Sequence, residues 1–116
     1  MLQEPEVLTL KLKVGSDPYR LVTKLQEMSD DEANEYIEKQ VQNLALKEAG
    51  RVENMRLGPM RGMHEMRSRM RHINRAAKER EAKFRKIFNK YNIKVLKWSR
   101  ISDSVVLAHY IKKERH

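Results

Sequence analysis

Leu57-Gly58-Pro59-Met60-Arg61-Gly62 interrupts an otherwise helical middle of the chain. Pro59 has no amide hydrogen to donate and its ring clashes with the turn before it, while Gly58 and Gly62 weaken helical structure on either side. A helix entering this segment ends there, and a helix leaving it starts afresh. Long periodic stretches flank it on both sides, so the simplest arrangement is an antiparallel helical hairpin.

Upstream, Ser29-Asp30-Asp31-Glu32 reads as a capping box with acids gathered at the positive end of a helix dipole. The helix it opens runs from Asp30 to about Met55, with Ile37, Val41, Leu44, Ala45, Ala49, Val52 and Met55 recurring at steps of three and four. Gly50 lies inside this pattern and weakens it by about 1 kcal/mol relative to alanine, which leaves room for a break or kink near it. Downstream, a basic helix runs from Arg61 to Lys90. Met63, Met66, Met70, Ile73, Ala77, Phe84 and Ile87 fall on a heptad seam interrupted only by Arg80. That seam is expected to pack against the preceding helix or a neighbouring one. The methionines from Met55 to Met70 are read as ordinary core at helical spacing rather than as an adaptable binding surface.

Further out, Val7 to Val14 alternates, with Leu8, Leu10, Leu12 and Val14 on one face and Thr9, Lys11 and Lys13 on the other, as a half-buried strand does. Gly15-Ser16-Asp17-Pro18 stops it and opens a short helix, with Asp17 expected as N-cap. After Asn92, Ile93–Trp98 reads as a strand. Periodicity alone does not separate strand from helix for the apolar run 105–111, but its β-branched residues favour a hairpin. The expected fold is α+β and helix-dominated, in the order β-α-α-α-β-β, with a small antiparallel sheet closed by the first strand. One domain is expected over residues 1–116, with 61–91 as a protruding basic helical arm.

Charge supplies the functional signal. The segment Arg61–Lys90 holds 11 of the 25 Lys and Arg residues but only Glu65, Glu79 and Glu81, a net +8 within a chain of +9. A solvated helix usually balances both signs along its face, and three acids against eleven bases do not. A polyanion is the expected partner, most economically nucleic acid. Arg67, Arg71, Arg75, Lys78 and Arg85 line one edge of the seam, and Arg69, Lys83, Lys86 and Lys90 flank the other, as candidate phosphate contacts. Trp98 and Tyr110, set among lysines, are candidate rings for base stacking, although core and rim positions suit them better.

Other classes find little support. The chain has no cysteine, which excludes disulfides and thiolate metal sites. His64 and His72 are two helical turns apart, His109 lies in an apolar run, and no zinc spacing occurs. No phosphate loop or nucleophile constellation is present, so no enzyme, cofactor or metal is expected. No stretch approaches the roughly 18 apolar residues of a membrane span, and a soluble intracellular protein is expected. The expected function is RNA binding as a structural subunit of a ribosome or other ribonucleoprotein. The alternatives are a dimeric regulator of duplex DNA that self-associates through the seam, and a scaffold for protein neighbours.

Overall fold

The computed structural model describes residues 5–59 and 61–113. They form β1 (Leu8–Lys13), α1 (Asp17–Gln26), α2 (Asp30–Leu57), α3 (Met63–Lys90), β2 (Ile93–Arg100) and β3 (Val105–Lys112). The architecture is α+β and helix-dominated, with one small antiparallel sheet. The chain divides into two compact units, one from the residues up to Asn34 together with those from Asn89 onward, the other Glu35–Phe88.

In the first unit the strand order is β1-β3-β2, so the strand latest in sequence is central. Leu10 pairs with Ala108 and Ala108 with Trp98, placing all three on one face. That face carries the core of Leu12, Val22, Ile93 and Ala108, with Leu10, Tyr19, Val95, Val106 and Tyr110 packed against it. Gly15 at a φ of 85° makes the turn out of β1, a conformation glycine adopts without a Cβ penalty. The N-cap of α1 is Ser16, not Asp17: its hydroxyl accepts from the Tyr19 amide, which puts Asp17 and Pro18 in the first turn. Ser29 caps α2 as expected, its hydroxyl accepting from the amide of Glu32 at 3.2 Å.

The register of β2 shifts between Val95 and Lys97, and beside this irregularity the Gln26 side chain acts as a piece of strand. Its amide nitrogen donates to the Ile93 carbonyl at 2.8 Å, and its oxygen accepts from the Val95 amide at 2.9 Å. Two peptide groups on the outer edge of the sheet are thereby satisfied.

In the second unit the two long helices pair antiparallel. Residues Ile37, Val41, Ala45 and Ala49 are buried at strict steps of four on α2, and Arg69, Ile73 and Ala77 on α3. Ala45, Ala49, Ile73 and Ala77 form the central cluster, with Ala76 and Phe84 against it. α2 passes through Gly50 as one continuous helix, without a break there. It ends where Gly58, at a φ of 71°, sends its amide to the Asn54 carbonyl. This is the left-handed cap that glycine favours, with proline just beyond.

The heptad seam needs correcting. Met63 is 68% exposed, and Met66, Met70 and Ile87 are also open to solvent. Four residues advance an α-helix by about 400°, so a line at steps of four winds about 40° per step. A heptad line drifts the other way. Because α2 presents period-four alanines, the facing line on α3 runs back from Ile73 to Arg69 and leaves Met66 and Met70 outside. Met55 is exposed for the same reason, against the expectation of a methionine core. Met60 lies outside the described residues.

Candidate nucleic-acid interface

α3 projects side chains in all directions, and its cations fall into three classes by what surrounds them. The first is internal. Arg69 is 3% exposed and lies at the mouth of the hairpin. Its guanidinium donates to the Gly58 carbonyl at 2.6 Å, to Asn54 Oδ1 at 3.3 Å and to Glu65 Oε1 at 3.2 Å. The other Glu65 oxygen accepts the Arg61 amide at 3.0 Å, so this carboxylate ties the start of α3 to the same arginine. Among the described residues the Nε of Arg69 has no hydrogen-bond partner. Arg69 is thus a clasp between the end of α2 and the start of α3, and it is withdrawn from the set of phosphate contacts.

The second class is paired across the hairpin. Arg85 makes a two-pronged contact with Glu38, Nε to Oε1 at 2.7 Å and the amino group to Oε2 at 3.0 Å. Glu81 lies 3.7 Å away on the same helix. The hydrogen bonds from Arg85 hold the Glu38 carboxyl below the usual glutamate range against an opposing desolvation, and they raise the affinity of Arg85 for its proton. Arg85, expected among the phosphate contacts, is therefore already matched. Arg80 is half-buried and reaches Glu48 at 3.9 Å, which explains why a charged residue interrupts the apolar pattern there.

The third class is open. Arg67, Arg71, Arg75, Lys78 and Lys86 are exposed, and none forms an ion pair among the described residues. Arg67, Arg71 and Arg75 stand at four-residue steps, about 6 Å of rise apart. Lys83 and Lys90 are also exposed, each ammonium 5.8 Å from the ring centre of its neighbour, Phe84 or Tyr91. Lys90 belongs to the first unit and the others to the second. Over Glu35–Phe88 there are 14 basic and 7 acidic residues, a net +7. No protein-family model, curated protein or solved structure matches the chain.

The proposed stacking rings sit elsewhere. Trp98 and Tyr110 both lie on the sheet face that packs under α1, and the Trp98 ring meets Tyr19 edge-on with centroids 5.8 Å apart. They do not form a platform on the opposite face. Among the described residues no group of His, Asp and Glu converges as a metal ion would require, and no helix is long and apolar enough to cross a membrane.

Two contributions escaped the sequence reading. Gln26 was one polar residue in a helix and gave no signal. The buried arginine did leave a trace, because Arg69 is spaced four residues from both Glu65 and Ile73 and so shares the inward line.

Proposed function

We propose that this protein binds nucleic acid without catalysis, with RNA the favoured partner, as a structural subunit of a ribonucleoprotein. The reading is carried by the row Arg67, Arg71, Arg75 and Lys78, exposed along α3 and without ion pairs among the described residues. Guanidinium groups match phosphate oxygens two at a time, and neutralising several phosphates releases counterions. Evenly spaced cations along one helix suit a row of phosphates, so the expected role is to position a backbone rather than to select a sequence.

The test is the triple variant Arg67/Arg71/Arg75→Ala with an RNA hairpin across a salt series. Each lost phosphate contact removes about 0.7 to 0.9 from the log–log salt slope, so the slope should flatten by about 2 to 3. An unchanged slope places the binding surface elsewhere.

One observation favours a second reading. Met63, Met66 and Met70 are exposed at steps of three and four on α3, a pattern that would suit pairing of two copies, as in a dimeric regulator of duplex DNA. A sedimentation measurement showing a monomer at micromolar concentration removes it.

A further inference from the structure

The sheet of the first unit has a second face. Alternation along the strands puts Thr9, Lys11 and Lys13 of β1, Val105, Leu107, His109 and Ile111 of β3, and Lys94, Lys97 and Ser99 of β2 opposite the core. The four lysines are exposed, the central β3 residues half-buried, and none of these positions is a carboxylate. No ion pair engages Lys11, Lys13, Lys94 or Lys97 among the described residues. His109 is held in the lane by a 2.9 Å hydrogen bond with Ser99.

The layout is an apolar lane between two cationic margins. The margins, on β1 and β2, are two strand spacings or about 10 Å apart. Lys11 and Lys13 are about 7 Å apart along their strand, close to the step between successive phosphates of an extended polynucleotide. Lysines at a sheet edge also deter strand-to-strand aggregation. That role is indifferent to charge sign and does not call for a face free of acids, and Gln26 already covers part of the β2 edge.

We infer that this face binds a single-stranded polynucleotide, with phosphates along the lysine margins and bases laid over Leu107, His109 and Ile111. A duplex keeps its bases inside and would leave the apolar lane without a partner, so the single strand is the better fit. The inference rests on the proposed nucleic-acid function and adds a second site to it.

The test compares Lys11/Lys13/Lys94/Lys97→Gln with the α3 triple variant, using a uridine 12-mer and an RNA hairpin as probes. The lysine variant should lose roughly tenfold or more in 12-mer affinity and flatten its salt slope by about 2 to 3. Its affinity for the RNA hairpin should stay at the wild-type value. In the wild-type protein, the 12-mer should shift the amide resonances of Leu107, His109 and Ile111, and polyglutamate should not displace it at equal charge. Unchanged 12-mer binding by the lysine variant, still amides in β3, or displacement by polyglutamate would each overturn the second site while leaving the α3 reading standing. Wild-type protein that binds neither probe would overturn both.

Discussion

Arg69 shows how far a residue's environment can depart from its composition. It is an arginine in the most basic stretch of the chain, yet it is buried and bonded to a glycine carbonyl, an asparagine and a glutamate. Replacing it with alanine removes charge-assisted bonds and leaves the Gly58 carbonyl without that donor. The cost should be about 2 to 3 kcal/mol, read as a lower urea midpoint at unchanged m-value. RNA affinity measured on the folded fraction should not change, and a large loss there would return Arg69 to the phosphate contacts. Arg69→Leu loses the same bonds but fills more of the buried space, so it should cost less than alanine. Among polar residues, Gln26 and Arg69 were the least legible in the sequence. Gln26 bonds Ile93 and Val95 from far along the chain, and Arg69 bonds Asn54 and Gly58 across a turn. Such partners are not encoded in charge counting, and spacing hints only that Arg69 faces inward.

The elements were more legible, for reasons that can be named. The strands β1 and β2 and the hairpin of β2 with β3 follow from alternation and β-branching, and the end of α2 from a glycine in front of proline. What misled the seam was treating apolarity as the only criterion for facing inward. Alanine at every fourth position of α2 selects the line Arg69–Ile73–Ala77 on α3, and three methionines are left outside. Charge counting likewise found the basic helix but did not tell Arg85, matched by Glu38, from Arg75, which is open. Gly50 offers a test at this scale. It lies within a continuous helix, has no positive φ, and a Cβ added there meets nothing within 4 Å. Gly50→Ala should stabilise the protein by about 1 kcal/mol in thermal or urea melts. A destabilised variant would mean that the helix bends there in solution.

At the scale of the whole molecule, the two units differ in how much chain their contacts span. Glu38 to Arg85 and Ala45 to Ala77 are joined by one turn, whereas Leu8 pairs with Tyr110 across most of the sequence. Contacts between distant residues carry a larger closure entropy and form more slowly. The single tryptophan, Trp98, meets Tyr19 from α1, so its native surroundings require that long closure. In stopped-flow refolding, helical circular dichroism should recover before Trp98 fluorescence. A single shared phase would show that sheet and hairpin form together.

The central position of β3 also bears on how the protein is made. About 90 residues separate Lys13 from Val105, so β1 leaves the ribosome well before β3, the strand it pairs with. At roughly 5 to 20 residues per second that interval lasts about 5 to 20 s. Throughout it, Leu8, Leu10 and Leu12 have no sheet to enter, while α2 and α3 meet as soon as both have emerged. A translational pause within the α3 codons would prolong the exposure of β1, and the nascent chain is most open to chaperone capture in that window.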